Sequence, residues 1–486
     1  MMSPEGRRKA ILLAVALLAG CWLLARDLEP KHAHYVQAQM PRREPGQRFD
    51  PLLQHSRVGN VLLDETPFHA IVPAVLGVRE LVASLLWIQA DSLFHRGEYG
   101  PIMDLIYRIV AIDPHQIDVY ATGAWHLAYN FMDKRMILDG IRFLEDGIRN
   151  NPDVYDLYFE LGYTHQDKTK DFLAAIDALS QAVTKGTSTG DPQPPAFVFM
   201  QLAHALERAG HVDEAAEQWR RNVEVAVELE KQHPDDFKYD QLVYAARHNY
   251  YLTLRRRNER RAAELELEGN GAEALKRWED NIRLAQEMLG HYPGHDQLEQ
   301  DLKRAQTEVA RLRAGKINRT PPPETRLEFT VRRKAPREIE VAGTINVPLY
   351  SRVRVILRDK DYERLVQENL ANAKWRHAHL TYEFENVQVR DGKFSYTFRL
   401  NRDPADMGRD FNTIYPLKSE EYEITVQFDP RLQALFIQDR YGWNGERLYA
   451  TDGLKEDHTL FGIVEGRRVP RRYLEKRVIL RREEIE

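Results

Sequence analysis

A chain of several domains is predicted: an α-helical solenoid followed by a mostly antiparallel β-sandwich, with one membrane-anchor helix ahead of both. Three observations carry this. Residues 10–25 are uncharged and follow Arg7-Arg8-Lys9. From residue 76 to 316 apolar residues recur with the helical period, in tandem blocks. Beyond a proline-rich stretch, 317–325, the period drops to two. A length of 486 residues accommodates such an arrangement at about 100–200 residues per domain. With 43% apolar and 29% charged residues the chain is neither disordered nor a multi-pass membrane protein. A net charge of −5 argues against nucleic acid as its main partner. The single cysteine, Cys21, rules out an internal disulfide or a thiolate zinc site.

Residues 1–27 form the expected anchor. A helix over 10–25 spans about 24 Å, short for a hydrocarbon core of about 30 Å but workable if Arg8, Lys9 and Arg26 reach to the interfaces. The basic residues before it place the amino terminus in the cytoplasm and the bulk of the chain outside. The alternative rests on Leu18-Ala19-Gly20-Cys21, which resembles a bacterial lipobox with Cys21 as the lipidation site; Trp22 to Ala25 extend the apolar run past that cysteine and favour the uncleaved helix. Residues 28–75, broken by Pro30, Pro41, Pro45, Pro51, Pro67 and Pro73, read as a spacer.

The helical region, 76–316, repeats. Leu86, Ala90, Leu93, Ile102, Ile106 and Pro114 recur in kind as Leu127, Ala128, Phe131, Gly140, Leu144 and Pro152. Tyr158, Leu161, Gly162, Ala174 and Ala178 follow, then Phe199, Leu202, Ala203, Leu206, Ala215 and Trp219. Small residues let two helices cross closely while the large ones fill the space between pairs. The pattern resembles the tetratricopeptide repeat, a helix-turn-helix unit of about 34 residues. An echo, Trp219, Asn222 and Ala226 against Trp278, Asn281 and Ala285, carries the array onward to a polar capping helix, Asp296 to Ala314. Between them, the arginines of Leu254 to Arg261 read as a solvated, ion-paired face.

After the stiff connector come strands, in the domain 326–486: Leu327, Phe329 and Val331; Val353, Val355 and Leu357; Tyr422, Ile424, Val426 and Phe428. Val387 and Val389 lead through Asp391-Gly392 into Phe394, Tyr396 and Phe398, a hairpin signature. A short helix is expected from Asp361 to about Ala373. The segment from Tyr415-Pro416-Leu417 to Phe428 looks like immunoglobulin-like or transthyretin-like exported modules. The arginine-rich tail from Arg467 onward is expected to protect an edge strand, with anionic lipid or glycan contact as the alternative.

The tetratricopeptide resemblance implies the candidate site. Its first helices line a concave groove; their fifth positions carry Trp87, Trp125, Phe159 and Met200, and their ninth carry Asp91, Tyr129, Tyr163 and His204. Such an aromatic stripe fits an apolar or aromatic peptide or helix, with the tyrosine hydroxyls and Asp91 setting its register. Packing against adjoining helices or the β-domain is the competing use of the same rings. Tyr441, Trp443 and Asn444, around an Asn-Gly turn, offer a second surface that would stack on a sugar or peptide, with core aromatics flanking a hairpin as the competing and favoured reading. His377-x-His379 reads as an exposed strand face. The catalytic signatures of serine hydrolases, zincins and phosphate-binding loops are missing from the sequence, so no catalytic residue, cofactor or metal is expected. The sum is a membrane-tethered, exported scaffold or assembly protein of a bacterial cell envelope complex, with periplasmic bulk. An envelope glycan- or peptidoglycan-binding protein is the alternative, and a hydrolase a third.

Overall fold

The computed structural model describes residues 79–96, 99–130, 134–187, 190, 194–371, 380–400, 415 and 417–486. The expected anchor with Cys21, the spacer, and His377 with His379 lie outside them.

Helices pair in sequence. α1 (Arg79–Arg96) packs on α2 (Tyr99–Ile112). α3 (Ile117–Trp125) runs on through a π-helical turn, His126–Asn130, and packs on α4 (Met136–Asn150). α5 (Tyr155–Thr164) ends in a second π turn, His165–Thr169, and packs on α6 (Phe172–Ala182); α7 (Ala196–Ala209) packs on α8 (Val212–Gln232). Glycine is a steric requirement at the crossings. A Cβ on Gly147 would sit 2.7 Å from Cγ of Tyr120, and one on Gly162 would sit 2.6 Å from Cγ of Leu179. Asp171 caps α6 by accepting from the Ala174 amide at 3.1 Å, and Gly210, at φ +77°, ends α7 in the left-handed region.

Longer helices continue the stack: α9 (Phe237–Leu267), α10 (Gly271–His291) and α11 (Asp296–Arg313). The two halves of the sequence echo are buried alike, Trp219, Asn222 and Ala226 in α8 and Trp278, Asn281 and Ala285 in α10. Asn281 also accepts from Asn258 of α9 at 2.9 Å, so the buried amides are paired across helices. α11 lays Leu298, Ala305, Val309 and Leu312 on the array, as a cap does.

The connector is pinned at both ends: the Asn318 amide donates to Glu266 at 2.7 Å and that of Thr325 to the Tyr449 carbonyl at 2.7 Å. Beyond it, β1 (Leu327–Ala335), β2 (Glu338–Ile345) and β5 (Lys393–Arg399) form one antiparallel sheet in the order β1-β2-β5. β3 (Arg352–Asp359), β4 (Tyr382–Gln388), β6 (Glu421–Phe428), β7 (Leu454–Val464) and β8 (Arg467–Arg481) form another in the order β4-β3-β6-β8-β7. α12 (Tyr362–Ala371) follows β3 and α13 (Leu435–Tyr441) follows β6. Alternate residues of both sheets, among them Val341, Phe398, Val355, Ile424 and Val426, fill one core between them.

Three expectations for the β-domain are corrected. Asp391-Gly392 does turn the chain, at φ +50° and +71°, but the flanking strands part after a single bridge. β4 pairs with β3 and β5 with β2, so the turn is a corner between sheets rather than a hairpin end. The arginine-rich tail is β8, an interior strand; its cations pair across the sheet, Arg472 with Glu456 at 2.8 Å and Arg477 with Glu423 at 3.1 Å. Its partner β7 is reached through Glu465-Gly466, a turn with both residues at positive φ. Finally, Tyr441, Trp443 and Asn444 are interior residues, each at 2% exposure or less. Tyr441 packs edge-on against Phe428 at 5.2 Å, and the Asn444 side-chain carbonyl accepts from Arg431 at 3.1 Å.

What buries Trp443 is α9. The Arg260 guanidinium lies 3.6 Å over the indole and donates to Asp439 at 2.7 Å. Arg255 pairs with Asp301 at 2.8 Å, Arg256 with Glu207 at 3.7 Å and Arg257 with Asp213 at 3.6 Å. The arginines of α9 are thus ion-paired in a partly buried setting: Arg255 and Arg257 tie helices of the array together, while Arg260, with Arg256 at 3.9 Å from Asp439 and Arg261 at 3.9 Å from Glu465, forms the seam to the β-domain. The seam continues along the turns that join the helices of each pair. His211 bridges Ile463, the Gly466 amide donates to Asp213 at 2.8 Å, and buried Arg135 reaches the Leu380 carbonyl at 3.2 Å and the Tyr415 ring at 4.4 Å.

Candidate functional site

The first helices α1, α3, α5 and α7 carry the two columns, and the structure gathers them into two aromatic groups. In the first, Trp125 and Tyr129 stack at 6.2 Å, with Phe94 edge-on to Trp125 at 6.5 Å. In the second, Phe159 and Tyr163 stack at 6.1 Å, and Phe197 stands edge-on to Phe159 at 5.0 Å. Trp125 is 41% exposed, Tyr163 39% and Phe197 47%, so each group presents rings to solvent. Trp87 and Phe159 are half-buried and brace the helices behind them.

The other positions divide. Asp91 is exposed and within 3.5 Å of His95. Met200 lies between α7 and α9, beside Asn222 and Ala246. His204 is held edge-on to Trp219 at 4.9 Å, and burial followed by the Arg208 charge pushes its pKa down, so it serves packing. Tyr129 has the Lys168 ammonium 3.6 Å over its ring; burial and then Asp167 hold its hydroxyl far above the usual tyrosine range. Phe94 and Phe197 were missed by the sequence argument. They occupy the twelfth position of the first unit and the second position of the fourth, which the same repeat geometry turns toward the groove.

Burial raises the Glu160 pKa, with Asp156 adding to it, and Tyr155 is pushed up to about 12. At the base of the first group His126 is buried, paired with Asn130 at 2.7 Å, and burial lowers its pKa to about 4. Among the described residues no group of three or more His, Cys, Asp and Glu is placed to hold a metal ion, and no helix is long and apolar enough to cross a membrane.

Helix pairing, glycine crossings and an open aromatic face define a tetratricopeptide-like array joined to a two-sheet antiparallel domain. No protein-family model and no curated protein matches the sequence. Among solved structures, the MamA protein is 16% identical at a TM-score of 0.25, with 43% of this chain and 95% of that one covered. TTC0263, a thermophilic TPR protein in Thermus thermophilus, is 18% identical at 0.25, over 38% and 97%. Naa15/Naa10 bound to HypK-THB is 12% identical at 0.25, over 46% and 39%. At these values the fold of the helical half stands on its own helix pairs and crossings.

Proposed function

We propose that the chain is a membrane-tethered, exported scaffold or assembly protein of a bacterial cell envelope complex, holding an apolar or aromatic peptide or helix of a partner protein on the first-helix face of its array. One observation carries the groove: Trp125, Tyr163 and Phe197 stay exposed although the β-domain packs on the same array. Large rings left open at low rotamer cost are the usual anchors of such contacts. The tether rests on the uncharged run 10–25 behind Arg7-Arg8-Lys9, with lipidation at Cys21 as the alternative attachment. Glycan binding through Tyr441, Trp443 and Asn444 loses its basis, because those residues are interior.

The test is capture from solubilised membranes by the intact chain. The Trp125→Ala and Tyr163→Ala double variant is expected to lose its partner while its melting temperature falls by only a few degrees, since both rings are already partly solvated. Undiminished capture by a folded double variant would overturn the groove. Mass spectrometry of the amino terminus decides between an uncleaved helix and an acylated Cys21.

A further inference from the structure

The seam between the two domains is not closed along its whole length. Between the turns of the second to fourth helix pairs and the larger sheet it opens into a cleft of about 700 Å³. Its floor is the outer face of the larger sheet, where register sets Arg352 beside Gln388, and Arg354 between Asn386 and Gln427. Its roof is the row of helix-joining turns, including both π-helical turns, which deliver Tyr129 and then Asp167 and Lys168. π turns widen a helix locally and re-aim side chains, and they concentrate at functional places.

Six cations line this cleft, Lys134, Lys168, Lys170, Arg208, Arg352 and Arg354, against the carboxylates of Asp167 and Asp429. Asp429 is engaged by Arg471, and Asp167 is shared by Lys168 and Lys170 at 3.6 Å each. Among the described residues no carboxylate lies within ion-pair distance of Lys134, Arg352 or Arg354, and Arg208 has only the charge of neighbouring Glu207. Arg208 donates to the Gln433 carbonyl at 2.7 Å, and Arg354 and Lys134 lie 4.2 and 5.1 Å over the Phe384 ring.

We infer that this cleft binds an acidic peptide segment, its carboxylates taken by the cations of both domains and its main chain by the row of Asn386, Gln388 and Gln427. Burial pushes the pKa of Lys168 and Lys170 down; Asp167 opposes this, while Lys134 depresses Lys168 further and Arg208 and Arg354 depress Lys170, a mutual repulsion that a bound anion relieves. Arginine forks suit carboxylates in particular. A glycan fits less well: of the three rings that line the cleft, Tyr129 and Phe384 are already covered by cations, which leaves Tyr350 as the single open aromatic face for a sugar to stack on. The cleft volume lies within the range of small-ligand sites, room for a few residues of peptide.

The experiment titrates fluorescein-labelled hexaglutamate into the full chain in detergent and reads anisotropy. Binding is expected to weaken steeply with sodium chloride and by about tenfold or more in the Lys134→Glu and Arg352→Glu double variant. Lys231→Glu, at an exposed site on α8, should leave it unchanged, as should the Trp125→Ala and Tyr163→Ala variant of the groove. Arg352 is exposed, so the single Arg352→Glu variant carries the test if the double variant fails to fold. Equal binding of hexaglutamine, or full affinity in a folded charge-reversed chain, overturns the inference. So does a sulfated polysaccharide that binds more tightly than hexaglutamate and is lost in the same variant.

Discussion

Gly147 shows how little freedom single positions have. Its missing Cβ leaves room for the Tyr120 ring at the atom nearest that residue's own backbone, so the ring cannot swing away to admit a methyl group. Gly147→Ala gains roughly 0.5–1 kcal/mol in helix propensity and loses about 1–3 kcal/mol to overpacking, and thermal denaturation is expected to show a net loss. His126 gives a second handle. Its folded pKa is about 4 against 6.5 in the unfolded chain, so between those values the unfolded state binds the extra proton and stability falls as pH falls. The slope is about 1.4 kcal/mol per pH unit for one such histidine. Half-buried Glu160 and buried Glu207, with raised pKa values, pull the opposite way, so the diagnostic is the difference between profiles. The pH dependence of urea midpoints in the wild type should exceed that of His126→Asn across this window, and coincident profiles would refute it. The glycines were legible in the sequence because the repeat assigns small residues to crossings. The protonation of His126 was not, since its depth depends on the neighbouring pair.

Among the elements, α9 was the least legible. A helix bearing Arg255, Arg256, Arg257, Arg260 and Arg261 has the same charge pattern whether it faces water or a neighbouring domain, and its partners Asp439 and Trp443 lie some 180 residues downstream. The strands show the same division. Alternation of apolar residues located β1, β3, β5 and β6, because the two-residue period is local. Which strand pairs with which is a long-range choice, so the turn at Asp391-Gly392 was found while its two strands were assigned to one sheet instead of two. For α9 the consequence is measurable. Arg260→Ala removes the nearer partner of Asp439, which is 37% exposed and keeps Arg256 at 3.9 Å, and it uncovers Trp443, so the cost is about 1–3 kcal/mol. Calorimetry should show that loss, and tryptophan emission should shift to the red; an unchanged melting temperature would mean the seam contributes little.

For the molecule as a whole, the array and the β-domain were legible separately, and their union was not. The cleft is the clearest case, with Lys134, Lys168, Lys170 and Arg208 supplied by the helices and Arg352 and Arg354 by a strand more than a hundred residues away. The seam also sets the unfolding behaviour. Since Arg135, Arg260 and Trp443 are buried only when both domains are folded and joined, the two are expected to melt in one calorimetric transition. Two separated transitions would contradict that coupling.

Stacks of paired helices behave mechanically as springs, stretching and coiling by small rotations between successive pairs. Here Arg135 before α4, Thr169 after α5, Arg208 and His211 around α8, and Arg277 of α10 are each riveted to the same β-domain, through Leu380, Arg354, Gln433, Ile463 and Glu465. A splint fixed at so many points along the coil removes its stretch. The aromatic face therefore keeps a preset curvature, and a partner of the kind proposed above would meet a rigid gauge instead of a surface that moulds itself to fit.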